Sequence, residues 1–278
     1  MAEILCFWLI PIFRKGSDSR ATLNLPDAET FYAGDEKGYF DYATLNPPNQ
    51  KESFEAGKLL EEHMKILVIG ATRGIGFELM KQAAHQNHEV TVLARKPEEL
   101  KSKIQKEDFH EKINLIKGDI LDREAVGKAV ENQDAVCSVI GIGITFKPVT
   151  VFSEGAKTLI SAMQETAVKR LIIVTGVGAG DSKNHGGFLY DKIFNPIFVR
   201  TIYEDKNRQE QLVTASGLDW TIVRPAVLTD ASRTGKYRAL TDLSGVTAGK
   251  IARADVADFI LDELKTNRFL RQTPLLTY

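Results

Sequence analysis

From residue 64 onward, apolar and polar positions alternate in blocks. Ile66 to Ile69 is an unbroken run of strand formers, the pattern of a strand buried on both faces. Ile75, Leu79, Met80 and Ala83 then recur at helical spacing and predict an amphipathic helix. The two patterns trade places down the chain. Further strands are predicted at Glu89 to Leu93, Ile113 to Ile116, Ala135 to Val139, Leu171 to Val174 and Trp220 to Val223. Helices are predicted from Pro97, over Asp122 to Val130, over Val151 to Gln164, and through a segment broken near Pro196 that resumes to Ala215. A polar loop holds Asp181 to Gly187. The chain closes with shorter elements, a helix from Asp255 to Leu264 and an apolar run from Thr273 to Thr277. Strands spaced by helices imply the α/β class, with a parallel doubly wound sheet and right-handed crossovers. In such a sheet, ligand sits beyond the carboxyl ends of the strands, at the switch point.

Residues 1–63 lie outside this pattern. Ile4 to Phe13 is apolar, but Arg14 and Lys15 follow it rather than precede it, which is the reverse of a secretory signal. Residues 16–55 mix Gly, Pro, Asn, Asp and aromatics without a period. Met64 stands directly before the first core strand. The expectation is an appended N-terminal extension over 1–63, or upstream sequence, ahead of a single domain at 64–278. The alternative is a lid or partner-binding arm built on Phe7, Trp8 and Phe13.

Composition narrows the function classes. A net charge of −1 over 278 residues argues against nucleic acid as the main partner. No apolar run approaches the roughly 20 residues needed to cross a bilayer. Cys6 and Cys137 suggest no disulfide framework, so a reducing, cytoplasmic setting is expected. His85 and His88 stand near a helix end without a third ligand close in sequence, and are read as surface residues rather than a metal site.

The chemistry concentrates where the first strand ends. Gly70-Ala71-Thr72-Arg73-Gly74-Ile75-Gly76 separates that strand from its helix, the context of a dinucleotide-binding loop. Glycines allow a tight turn and close backbone approach, and the helix N-terminus offers free N–H groups to a pyrophosphate. Gly70, Thr72, Arg73, Gly74, Ile75 and Gly76 are therefore expected to bind the cofactor. An NAD site commonly places an acid about 20 residues beyond the loop, on the ribose hydroxyls. Here the second strand ends Val92-Leu93-Ala94-Arg95-Lys96, with cations in that place. Arg73 and Arg95 together point to a 2′-phosphate and hence to NADP(H). The plainer alternative makes Arg95 and Lys96 solvated residues that open a helix. Gly118-Asp119, followed by Ile120, ends the third strand, where the Asp119 side chain is expected to accept the adenine amino group, or is only a turn. Gly141 and Gly143 are small enough to let ribose and nicotinamide pass, or are only a turn.

Taken together these residues resemble the atypical NAD(P)-binding branch of the short-chain dehydrogenase/reductase superfamily, which includes flavin reductase/biliverdin-IXβ reductase. The resemblance runs from Lys65 to Tyr278. It also draws on Ser153-Glu154-Gly155-Ala156, on Ser216-Gly217-Leu218-Asp219-Trp220-Thr221-Ile222-Val223-Arg224-Pro225, and on Arg253-Ala254-Asp255-Val256-Ala257. It implies a Rossmann-type fold and an NADPH-dependent oxidoreductase that transfers hydride to a small conjugated acceptor of flavin, quinone or tetrapyrrole type. Arg73 stands where the branch usually has a second glycine. The superfamily's main branch uses a serine after the fifth strand and a Tyr-x-x-x-Lys pair, in which lysine lowers the tyrosine pKa. Here Phe194 is four past Tyr190, Asn207 is four past Tyr203, and Gly176 follows Thr175 where many relatives carry serine. The nearest substitutes are Thr175, Tyr203 and Lys206, with Glu210 one turn further. The alternative for Tyr203, Lys206 and Glu210 is an exposed helix face with an ordinary ion pair. His185 is expected to border substrate or to be solvated. A non-catalytic NADP(H)-sensing protein is the competing function. A nucleotide-sugar epimerase or dehydratase is disfavoured by the short region after Pro225. The expected partner is a small-molecule acceptor, with neither nucleic acid nor membrane. The sequence sets no oligomeric state.

Overall fold

The computed structural model describes residues 63–187 and 199–278. The expected extension, with Phe7, Trp8 and Phe13, lies outside the described residues, as do Tyr190, Phe194 and the break near Pro196. All described residues fall in one unit, Leu59–Tyr278.

Strand β1 (Lys65–Ile69) leads into helix α1 (Gly74–His85), and β2 (Glu89–Ala94) into α2 (Pro97–Ile104). Next come β3 (Ile113–Lys117), α3 (Arg123–Val130), β4 (Ala135–Ser138) and α4 (Val151–Glu165). Then follow β5 (Arg170–Val174), α5 (Arg200–Thr214), β6 (Asp219–Pro225) and β7 (Val227–Thr229). The chain ends with β8 (Arg238–Leu240), β9 (Lys250–Ala252), α6 (Arg253–Thr266) and β10 (Leu275–Thr277). The main sheet runs β3-β2-β1-β4-β5-β6-β10-β8. The order reverses direction between β1 and β4, which is the switch point.

β1 shows why the sheet is wound on both faces. Successive side chains of a strand point to opposite sides. Ile66 and Val68 join one core with Leu79, Met80 and Ile260, under α1 and α6. Leu67 and Ile69 join a second core with Val126, Leu159 and Val213, under α3, α4 and α5. All four β1 residues are almost fully buried, so the run has no polar face. Asp122 caps α3, its carboxylate accepting from the backbone of Glu124 and Ala125.

The sheet departs from pure parallel pairing at one edge. β10 lies parallel to β6, but β8 pairs antiparallel with β10, Leu240 opposite Leu275. β7 and β9 form a separate parallel pair. These strands have three residues each, too few for a period to show. His88 also corrects the sequence reading: it is 1% exposed, not a surface residue. Asn87 takes a positive φ of 64°, which turns the chain inward, and His88 Nδ1 accepts from the Met64 N–H at 3.2 Å. Among the described residues, no group of three or more His, Cys, Asp or Glu side chains is placed to hold a metal. No helix among them is long and apolar enough to cross a membrane.

Candidate cofactor and acceptor cleft

A cleft of 930 Å³ opens at the switch point. Gly70, Thr72, Arg73, Gly74 and Ile75 line it from the loop after β1. Arg95, Asp119 and Ile120 line it from the ends of β2 and β3, and Gly141 from the end of β4. Thr175 and Lys206 close the other end. Gly76 and Tyr203 stand behind this lining.

The loop geometry is fixed by two glycines. A Cβ on Gly76 would overlap the Gly70 carbonyl oxygen. A Cβ on Gly70, whose φ is +99°, would come within 2.9 Å of the Val139 carbonyl. Hence the loop folds back on itself and lies against the end of β4. Helix α1 starts at Gly74 with no side-chain cap and no acid in its first turn. Its first N–H groups therefore have no partner from its own cap side chain, which suits an anion.

The cations at this end stand mostly in solvent. Arg95 is 82% exposed, and its Nε lies 3.9 Å from an Asp119 carboxylate oxygen, a loose pairing. Asp119 itself accepts from the Leu121 N–H at 3.0 Å. Lys96, expected beside Arg95, is not part of the cleft. It bonds Glu99 at 2.8 Å and only opens α2. Gly118 and Gly155 have packing roles. A Cβ on Gly118 would overlap Ala125, and one on Gly155 would press within 2.7 Å of Ile120. A Cβ on Gly141 would meet nothing within 4 Å among the described residues, so their packing does not require glycine there.

The opposite end is built from buried charge. Asp205 of α5 is fully buried and accepts from the Phe152 and Ser153 N–H groups at the start of α4. The N-cap residue of α4, Thr150, makes no side-chain cap bond, so Asp205 serves as that cap from the neighbouring helix. This contact docks α5 on α4 and sets Lys206 above the Phe152 ring, at 4.9 Å from its centroid. Lys206 Nζ donates to the Thr175 carbonyl at 2.6 Å and the Val174 carbonyl at 3.2 Å. Burial pushes its pKa down to about 8, against the opposing pull of Glu210.

The exposed-face alternative is therefore wrong for Lys206 and Glu210, both of which are buried. Glu210 does not bond Lys206. It accepts the Thr175 hydroxyl at 2.7 Å and two bonds from Arg224 at 2.7 and 3.1 Å. Arg224 also pairs with Asp181 in the loop after β5. Tyr203 is half-buried. A side chain at Gly176 would meet its hydroxyl, 2.8 Å from the added Cβ. The position where many relatives carry serine is thus next to the Tyr203 phenol. His185 is half-buried and held to the chain: its Nδ1 bonds the Val246 carbonyl at 2.8 Å, and its own carbonyl accepts from Ala248 at 2.7 Å.

Charged residues to which the sequence reading gives no role also line the cleft: Glu99, Lys103, Asp230 and Arg253. Lys103 Nζ donates to the Thr72 carbonyl at 3.2 Å. Arg253 opens the Arg-Ala-Asp-Val-Ala stretch quoted for the family resemblance, and that stretch was the available signal. The mouth of the cleft carries Ile142, with Ile144 and Phe146 exposed further along the same loop. Thr201 anchors this loop by donating to the Thr145 carbonyl at 3.2 Å.

The comparisons with known proteins agree with this fold. The chain is 29% identical over 205 residues to the "uncharacterized sugar epimerase YhfK" of Bacillus subtilis, covering 72% of this chain and 88% of the relative. A short-chain dehydrogenase/reductase of Veillonella parvula solved in complex with NADP superposes with a TM-score of 0.64 at 16% identity, over 78% of this chain and 95% of that one. ChuY of Escherichia coli O157:H7, described as an anaerobillin reductase, superposes with a TM-score of 0.63 at 22% identity, over 77% and 96%. The family model described as NAD(P)H-binding matches residues 70–267, from the first loop glycine to the end of α6, and the chain belongs to that family.

Proposed function

We propose that the chain is an NADPH-dependent reductase of a small conjugated acceptor of flavin, quinone or tetrapyrrole type. The observation that carries this reading is one continuous cleft with the glycine loop and Arg95 at one end and Thr175 and Lys206 at the other. Residues 64–278 are assigned the chemistry, and 1–63 the part of an appendage. When bound, the nicotinamide supplies the hydride. The rest falls to the chain's own residues. The α1 N-terminus holds pyrophosphate. Arg73 and Arg95 take the 2′-phosphate, Arg95 having only a loose partner to give up. Asp119 and Ile120 border adenine, and Gly141 leaves room beside the ribose.

Lys206 supplies the proton or orients the acceptor. A lysine with a pKa near 8 stays protonated at neutral pH yet releases its proton more readily than a solvated one. Thr175, its hydroxyl committed to Glu210, offers the acceptor lone pairs rather than a proton. Tyr203 lacks a lysine at the usual spacing and is assigned a packing role beside Gly176. The apolar side chains at the mouth suit a flat, weakly polar acceptor, and the structural likeness to an anaerobillin reductase supports the same class.

One observation favours a second reading, a non-catalytic NADP(H) sensor. Lys206 already spends two of its donors on backbone carbonyls. An NADPH-oxidation screen against flavins, quinones, tetrapyrroles and aldehydes separates the two. Turnover of a conjugated acceptor supports the reductase. Tight NADPH binding without any turnover supports the sensor.

A further inference from the structure

A second cavity, of 310 Å³, adjoins the main cleft at the glycine loop. Thr72, Arg73, Gly74, Lys103, Asp230 and Arg253 line both this cavity and the main cleft. Arg253 is the first residue of α6, and its stem runs along the loop. A Cβ on Gly74 would sit 3.6 Å from its Cδ and Nε. Gly74 is also the first residue of α1, so the Arg253 guanidinium stands beside the helix N-terminus that lacks a side-chain cap. Among the described residues its ion-pair partner is Asp230, at 2.7 Å, and the two sides of this pair differ sharply: Arg253 is 29% exposed and Asp230 90%. An ion pair with so exposed a carboxylate holds its cation weakly. Lys103 and Arg73 bring two more positive charges to the same wall, while Glu78 there is already bonded to Lys81 at 2.7 Å.

We infer that Arg253 is a further cofactor-binding residue, which leaves Asp230 to hold a phosphate group of the bound dinucleotide against the glycine loop. The inference rests on the NADPH-binding reading above and adds a residue from the other end of the chain. Asp230 then acts as a competitor. It keeps the guanidinium beside the loop when no anion is bound, and it opposes the anion when one arrives. Two sources of the phosphate chemistry are available, the pyrophosphate and the 2′-phosphate, and the choice of nucleotide tells them apart.

The experiment is calorimetric titration of the full chain with NADPH and with NADH, for the wild type, Arg253→Met and Asp230→Asn, with melting curves as a check on folding. Methionine keeps the apolar stem against Gly74 and removes the charge. Loss of one charge-assisted phosphate contact is expected to weaken binding about tenfold or more. Weakening toward both nucleotides assigns the pyrophosphate, and weakening toward NADPH alone assigns the 2′-phosphate. Asp230→Asn, at an exposed position, should tighten binding a few-fold. Unchanged affinity in Arg253→Met, or a matching loss in both variants, overturns the inference, the second because it would make the ion pair a structural brace. Should Arg253→Met fail to fold, Asp230→Asn decides alone: tighter binding supports the inference, and unchanged or weaker binding overturns it. A wild type that binds neither nucleotide overturns the functional reading as well.

Discussion

At the glycine-loop end of the cleft the cations stand in water and the backbone is tightly constrained. At the β5–α5 end the charges are buried and the side chains do the constraining. Arg95 is 82% exposed, whereas Lys206 and Arg224 are 7% and 3% exposed. The difference matches two tasks. A phosphate arrives with its own charge, so solvated arginines can meet it at little desolvation cost. In the proposed reaction a proton donor beside a hydride acceptor needs a shifted pKa, and burial lowers that of Lys206. The price is a scaffold of bonded charges around it.

The comparison predicts unequal responses to mutation. The largest is in stability. Glu210→Ala would strip the buried Arg224 of its main partner, leaving among the described residues the exposed Asp181 carboxylate, and free the Thr175 hydroxyl. Breaking one side of a buried pair costs about 3–5 kcal/mol, to be read from chemical denaturation. A loss under 1 kcal/mol would mean that this end is no more built on buried charge than the other.

Next comes turnover. Lys206→Ala should lower kcat at least about a hundredfold with little change in NADPH affinity, since a positioned acid is worth that much. Tyr203→Phe should cost only a few-fold. Steady-state kinetics of both variants on one acceptor check this, and the reverse ranking would restore a tyrosine acid. The pH profile sharpens the test. Activity that needs protonated Lys206 should fall as pH rises through about 8.

Lys206 also links to stability. Its pKa is about 8 in the folded chain against an ordinary 10.5. Between those values the unfolded chain holds a proton that the folded chain has released. Stability of the wild type relative to Lys206→Met should therefore rise with pH across that window and show no slope below it. Parallel denaturation curves over the same range would contradict the burial.

At the loop end the effects fall on binding. Gly76→Ala should weaken NADPH about ten- to a hundredfold by calorimetry, because even a methyl forces the loop off Gly70, an overpacking cost of about 1–3 kcal/mol. The smallest effect is at Arg95. Arg95→Asp should reduce the preference for NADPH over NADH about tenfold and leave stability near wild type.

Legibility in the sequence followed the same divide. The loop end could be read because backbone constraint writes itself as glycine, and because β1 is an unbroken apolar run. The acceptor end could be read only in part: Thr175, Lys206 and Glu210 stand out as candidates, but nothing local shows that they are buried. Helix α5 reads Tyr-Glu-Asp-Lys-Asn-Arg-Gln-Glu-Gln, a stretch that looks solvated. Yet Ile202, Asp205, Lys206, Gln209, Glu210 and Val213 are buried, the spacing of an apolar stripe filled mostly with polar residues. Their partners, Arg224, Thr175 and the start of α4, are distant in sequence, so no local pattern announces them. His88 is hidden from the sequence for a similar reason, since its burial follows the turn at Asn87. Arg253 was quoted as part of a motif without a role, because its place beside Gly74 comes only from the packing of α6 on α1.

The central claim is that the two ends work together as an NADPH-dependent reductase. Its most direct test is NADPH consumption, followed by absorbance with and without a flavin, quinone or tetrapyrrole acceptor. The account predicts acceptor-dependent oxidation, faster with NADPH than with NADH. Tight NADPH binding with no oxidation in the presence of any of these acceptors would contradict it.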